Sequence, residues 1–576
     1  MSEKLEKEQE AIGTTEVFDH SEEHPAPTEE EWSSLREVAD HVPISAFLVI
    51  LIELCERFTY YGLSGPFQNY IQFPAPESYP ADQPGALGRG QQTATALTTF
   101  FQFWCYITPI IGAIIADQWL GKYRAIILFA SIYMVGLVIL TCTSIPSSIA
   151  NGGAFPGYVV AIIIIGLGTG GIKSNVAPLV AEQYQTRSPY VKTLKSGERV
   201  IVSPQATYQK IFLYFYWGIN IGSLSAIATT ELEKNVGFWP AFLLPTIVFI
   251  PAIIVVLAGR KRYVLTPPRG SVIVESSKLV WYNFKINGWF AKLDKFDACK
   301  PSNLAVTHPD WAARATWDDV FVDEFKRALR ACIVFCWYPI FWLCYVQITN
   351  NLISMAATMN TGNVPNDIMQ NIDPLFVICV IPIMDNIVYP TLRKFGIRMG
   401  PIHRIALGFF FSAVAMGYTA GIQSKIYNSP PYYDHVSREG AQNDISAAYQ
   451  IPSYCFVALS EIFASVTGNE YAYKKAPQSM KSIVMSLFLF TNCFASILQF
   501  ALVSVTVEPK LTWMYTGIAC AAIVCSVLIY FLHGHQDATD VEEDAIGRSK
   551  EQFAKYDAQK KETTAEFEID QEKAHA

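Results

Sequence analysis

Charge is what this sequence has least of. Only 16% of its 576 residues are Asp, Glu, Lys or Arg, against about 25% in a soluble chain, which leaves too little polar surface to solvate a globule of this length. No basic segment suggests nucleic acid, and the net charge is −8. The acidic N-terminus carries no apolar stretch of signal-peptide type, so a cleaved leader is not expected. The twelve cysteines show no metal-ligand spacing. Cys55, Cys105, Cys142, Cys332, Cys336 and Cys493 fall inside apolar runs and read as small packing residues. No nucleophile lies at useful spacing from a base, so neither an enzyme nor a resident cofactor is expected.

Apolar runs are plentiful instead. Ala125–Ile145, Tyr158–Leu179, Ala241–Gly259 and Thr512–Leu532 are each long enough to cross a hydrocarbon layer of roughly 30 Å, which takes about 20 helical residues. Twelve such segments can be drawn, six on each side of a polar stretch. The expectation is an all-α integral membrane protein with two six-helix bundles, at 43–259 and 327–533. A charged linker joins them at 260–326, and polar tails lie at 1–42 and 534–576. Lys122, Arg124, Arg187, Lys192, Lys195 and further basic residues fall in the loops on the side of the tails. The opposite loops hold only Arg89, Lys234, Lys425, Arg438 and Lys510. By the positive-inside rule both termini are cytoplasmic. In the linker, Trp281, Phe284, Trp289 and Phe290 suggest interfacial helices, with an unstructured connection as the competing reading. Six plus six spans is the layout of the major facilitator fold, whose solute sites lie near the midplane between the halves.

The first span carries charge where lipid forbids it. Glu53, Glu56, Arg57, Tyr60 and Ser64 recur at i, i+3, i+4, i+7 and i+11, one face of a helix. Each mid-membrane charge costs roughly 2.5–3.5 kcal/mol on insertion scales, so this face must look onto a cavity or onto partners. An ion pair that only locks two helices would account for one acid, and here there are two. Glu461 poses the same problem in the second half. Asp373 opens the eighth span, either as a helix-start residue or as a second carboxylate facing the cavity. Gly166-Leu-Gly168-Thr-Gly170-Gly171-Ile-Lys173 contains the GxGxxG pattern of dinucleotide sites. That pattern needs a short preceding strand and an acid about 20 residues on, and a span-length apolar segment precedes this one. Close helix packing is the better reading, with Lys173 either in the cavity or snorkelling to the interface. Asn220 is a neutral polar group inside the fifth span, and a tie between helices is its alternative role.

Glu53-x-x-Glu56-Arg57-Phe58-x-Tyr60-Tyr61-Gly62 resembles the ExxERFxYYG signature of the proton-coupled oligopeptide transporters at every fixed position. Gly168–Lys173 with Asn175 and Pro178, Phe215–Gly222 around Asn220, and Ser460-Glu461-Ile462 are similar to further motifs of that family. The resemblance implies a proton-driven symporter in the plasma membrane, functional as a monomer among membrane lipids. Its cargo would be di- and tripeptides and its coupling ion the proton. Proton coupling would rest on Glu53, Glu56, Arg57, Lys173 and Glu461. Peptide binding would use Arg57, Tyr60, Tyr61, Tyr106, Lys173, Asn220, Asp373 and Glu461. Asp117, in a loop resembling the wider superfamily, would serve gating, as would an Arg330–Asp385 pair, for which an ordinary surface charge is the competing reading. Ser64, Thr99, Val346 and Asp373 stand where other branches of the family carry different residues, so their full set of proton sites is not present. The phrase after the first motif looks like fungal members. A nitrate or other small-anion carrier of the same fold and a non-transporting peptide sensor are the rival readings.

Overall fold

The structure is a computed structural model. It describes residues 34–186, 189–194, 197–268, 271–288, 293–388, 399–435, 442–475 and 481–534, together with positions 27, 28, 31, 391 and 395. Among these residues, ten helices are long and apolar enough to cross a membrane, from Gly90–Leu120 to Leu511–His533. Two further helices stand where spans one and eight were expected. Ile44–Ser64 is long enough but holds Glu53, Glu56 and Arg57. Ile372–Ile383 continues as a π-helical turn, Met384–Val388, beyond which the chain is not described without interruption. Large apolar side chains such as Trp513, Phe531, Leu213 and Ile254 point away from the protein, each more than half exposed. A belt of that kind suits lipid and not water.

Each half has its own core. In the N-terminal half, spans three and four (Lys122–Thr143 and Ala154–Glu182) pack almost backbone to backbone. A Cβ on Gly168 would come within 2.5 Å of Tyr133, and one on Gly171 within 2.1 Å of the Phe129 ring. The GxGxxG pattern therefore lies in the middle of a 29-residue helix and serves close helix approach, as expected. The C-terminal half repeats the device. Gly408 abuts Ala464, and Gly468 abuts the Tyr338 ring, whose hydroxyl donates to the Ala464 carbonyl at 2.9 Å.

Two parts of the chain differ from expectation. Residues Glu37–Val38, assigned to the polar tail, form a strand that runs parallel to Arg199–Val202. That strand pairs antiparallel with Tyr190–Thr193. Asp40 fixes the junction by accepting from the hydroxyls of Tyr184 and Tyr190 at 3.3 and 3.1 Å. This sheet, on the side of the termini, is an addition to the all-α expectation. Its strands are too short to give a periodic signal.

The linker is the second difference. Val272–Asn287 is a helix, as the aromatic spacing suggested, and Trp281 packs on Phe284 with ring centroids 5.7 Å apart; Trp289 and Phe290 lie outside the described residues. Leu279, Phe296, Cys299 and Trp317 are buried in the core of the C-terminal half. The linker is thus part of that half and not a free connection. Asp297 clamps it by accepting from Lys326 at 2.8 and 2.9 Å and pairing with Lys300 at 3.2 Å. The Lys326 ammonium, with Lys300, holds the Asp297 carboxyl below the usual carboxylate range. A depressed carboxyl contributes stability above its unfolded pKa and loses it as pH falls through the folded value. Asp297→Asn should therefore speed hydrogen exchange over residues 293–307 at neutral pH, by up to about fivefold as for a surface ion pair. The difference from the native chain should close as pH falls through the carboxylate range.

Candidate transport site

The first span enters the core of its half because its charged residues pair with one another and are met by span four. Glu53, Glu56 and Arg57 are 4%, 0% and 5% exposed. Arg57 Nε lies 2.6 Å from Glu56 Oε2 and 3.2 Å from Glu53 Oε1, and its Nη2 also pairs with Glu56. The other Glu56 oxygen accepts from the Thr169 hydroxyl. Thr169 lies inside the glycine-rich turn of span four, which can bring it there because Gly168 and Gly170 have no side chains to hold the helices apart. One guanidinium thus serves two buried carboxylates.

Lys173 is one turn further along span four. Its ammonium sits 4.2 Å from the centroid of the Tyr106 ring, and among the described residues it makes no ion pair. Glu53, Glu56 and Arg57 all act on it electrostatically. It faces the space between the halves and does not snorkel away. Arg57 lies 5.1 Å from the Tyr60 ring, which is stacked on Phe101 and edge-on to Tyr61.

Across that space, Asp373 and Glu461 turn their carboxyl groups toward each other within side-chain hydrogen-bonding reach, and Tyr345 reaches Glu461. Asp373 is 4% exposed with one oxygen lacking any donor. It both opens its helix and faces the cavity, so the two readings of this residue hold together. Glu461 begins a π-helical turn, Glu461–Val466, a local widening of the helix frequent at functional positions. Tyr61 and Tyr106 feel the charges of both Arg57 and Glu461, so the cationic and acidic groups of the two halves converge on one cavity.

The remaining expected residues fall elsewhere or are differently engaged. Asn220 donates its amide to the Tyr216 carbonyl of its own helix at 2.8 Å, so that amide does not tie helices together. Asp117 stays within the N-terminal half beside Lys122 and Glu182, which pair with each other. Arg330 meets Asp294 of the linker at 3.4 Å, and both are exposed. The side chain of Asp385 lies outside the described residues, so the proposed pair is not seen. Thr169 on Glu56, Tyr345 on Glu461 and Tyr216, which feels the charges of Glu461 and Asp373, also border the site and were missed. Hydroxyls carry no charge cost in an apolar helix, and nothing in their spacing separates them from packing residues.

Among the described residues, the hydrogen bonds joining the halves gather at the end of the bundle away from the termini or at its middle. Gln68 donates to Ser354 at 2.9 Å, Gln102 to Thr349 at 2.9 Å, and Asn69 and Asn366 each donate an amide N–H to the other's side-chain oxygen at 2.8 and 2.9 Å. The cavity is closed on that distal face.

Two bundles around a central charged cavity define a major facilitator transporter, and the comparisons give its family. The model of the POT family (PTR2) matches residues 123–518. A probable peptide transporter of Schizosaccharomyces pombe, ptr2, is 49% identical over 535 residues, covering 92% of this chain and 84% of the relative. The peptide transporter PTR2 of Saccharomyces cerevisiae is 44% identical over 531 residues, covering 92% and 85%. Among solved structures, the POT family transporter PepTSo superposes with a TM-score of 0.67 at 22% identity, covering 87% of this chain and 99% of that one. The chain belongs to the POT family and has its fold.

Removing the arginine isolates its contribution. Arg57→Ala leaves two buried carboxylates without a counter-charge and should destabilise the protein by about 3–5 kcal/mol, read as a lowered melting temperature in detergent. Adding Glu53→Gln and Glu56→Gln to that variant should restore most of the loss.

Proposed function

We propose that this chain is a proton-coupled symporter that imports di- and tripeptides across the plasma membrane by alternating access, working as a monomer of twelve spans with both termini in the cytoplasm. One observation carries the reading. The Lys173 ammonium, which makes no ion pair among the described residues, and the carboxyl pair of Asp373 and Glu461 border the same space between the halves, linked through Tyr106, whose ring touches Lys173 and which feels the charge of Glu461. A short peptide is a zwitterion whose constant parts are an amine, a carboxylate and one or two amides. In this reading Lys173 takes the carboxylate and the acidic pair takes the amine. The hydroxyls of Tyr60, Tyr61 and Tyr106 are left for the amides. Side chains then need no specific partner. Because cation and acids belong to different halves, bound peptide draws the halves together. The probable peptide transporter of Schizosaccharomyces pombe and the peptide transporter of Saccharomyces cerevisiae named above are in keeping with this reading.

Charge counting supports the coupling. Glu53 and Glu56 ionised against Arg57 leave one surplus negative charge in a buried place, which is costly unless compensated. A proton on either carboxylate compensates it, and so does the approach of Lys173. The two are alternatives. With the proton present Lys173 is free for cargo; on loss of the proton inside the cell it is drawn back to the glutamates and the peptide is released. A membrane potential supplies about 2.3 kcal/mol per charge per 100 mV, equivalent to about 50-fold accumulation.

The test is dialanine uptake by protein in proteoliposomes with an acidic exterior and an inside-negative potential. The native chain should concentrate dialanine. Lys173→Ala and Glu56→Gln should lose accumulation and retain exchange of internal for external peptide. Undiminished uphill uptake in both variants, or competition by nitrate and not by unlabelled dipeptide, would refute the scheme.

A further inference from the structure

A second pair of carboxyl groups lies at the distal face, away from the peptide cavity. Glu233, near the end of the fifth span in the N-terminal half, and Asp367, in the turn that leads into the eighth span of the C-terminal half, are both 0% exposed. Their carboxyl groups lie within side-chain hydrogen-bonding reach of each other.

The surroundings offer these groups almost nothing. Asn69 donates one amide hydrogen to Glu233 Oε1 at 2.9 Å and the other to Asn366 at 2.8 Å. Asn366 spends its own amide on Asn69 at 2.9 Å and on the Ile353 carbonyl at 3.1 Å. Glu233 Oε2 and both oxygens of Asp367 are left buried with no donor. Lys234 and Glu231 act on Asp367 electrostatically, but Lys234 makes no ion pair among the described residues. Tyr79 faces Glu233 and Tyr454 faces Asp367, and the Tyr454 hydroxyl is itself buried without a partner. Gln83, Asn69 and Asn366, the other polar neighbours, do not titrate.

Two ionised carboxylates cannot be held together in such a place. A single proton resolves both the repulsion and the missing donor, because the protonated carboxyl donates to the carboxylate of the other. We propose that Glu233 and Asp367 form a proton site separate from the peptide cavity, in which one shared proton latches the distal gate shut. This rests on the alternating-access reading, which puts the distal face outside the cell. When the halves part there, each carboxyl meets water, loses its partner and ionises, and the proton leaves to the medium. The closed state therefore holds one proton more than the open state. Acid favours closure, and the closed-to-open ratio falls by up to about tenfold per pH unit as the medium turns alkaline. The proton is trapped during closure and does not cross the membrane. The site senses external pH and takes no part in the driving force.

The experiment places spin labels at Glu77→Cys and Asn428→Cys, exposed positions on the two halves at the distal face. The exposed cysteines Cys142, Cys336, Cys379 and Cys520 are replaced by serine. Distances are measured by electron–electron double resonance in lipid between about pH 5 and pH 8. The closed population should fall with rising pH. In the isosteric Glu233→Gln/Asp367→Asn protein, which bonds amide to amide with no proton, it should lose the greater part of its pH dependence, leaving only what the Glu53–Glu56 site contributes. Either single variant should flatten the profile should the double variant fail to fold. A native population that ignores pH while still responding to dialanine overturns the latch and leaves the transport reading standing. A pH profile unchanged in the variants, or a population set by sodium at fixed pH, also overturns it. A separation that changes under no condition overturns both.

Discussion

The structure depends on finding partners for ionised groups inside an apolar bundle. Glu56 shows how this is done: it is fully buried, with Arg57 on one oxygen and Thr169 on the other. Arg57 is shared with Glu53, so the first helix brings an imbalance of charge into the core of its half. Carboxyl groups from the second half approach the same cavity from the opposite side. A protein that needed only to fold would have little use for such an arrangement, since an apolar replacement of similar volume is often neutral or stabilising.

Close packing of the helices makes the arrangement possible. Thr169 reaches Glu56 only because span four lies almost against its neighbours, with Gly168 over the Tyr133 backbone and Gly170 over Thr108. Interiors at this density do not deform gradually. In the alternating-access reading each half would therefore move as a block, with rearrangement confined to the surfaces where the halves meet. Those surfaces are polar at the distal face, where amides and hydroxyls bond across the gap and can exchange these bonds for water when it opens.

Much of this was legible in the sequence. A charge within an apolar run is a loud signal, because lipid tolerates it so poorly, and Glu53, Glu56, Arg57, Lys173, Asp373 and Glu461 were found that way or through the motifs around them. Glu233 carried the same signal more faintly. It sits among Glu231 and Lys234 near a span end, where charge is ordinary, and only the fold shows it facing Asp367 in the dark of the interior. The π-helical turns that begin at Glu461 and contain Asp117 and Asp385 have no compositional mark. The short sheet made by Glu37–Val38 joins segments far apart in the chain, and two residues cannot show alternation.

The docking of the linker has a mechanical consequence. On the N-terminal side the chain is pinned as far as Thr266, whose hydroxyl donates to Glu182 at 2.8 Å, with Val264 bonded to Gln183 just before it. On the other side the helix beginning at Val272 is already embedded in the C-terminal half. Between Thr266 and Ser271 lie roughly five peptide steps, at most about 18 Å when taut. So long as both anchorages hold, that short leash caps how widely the two blocks can swing apart along this edge, and the amplitude of the rocking stroke is written into the length of a Pro-containing tether.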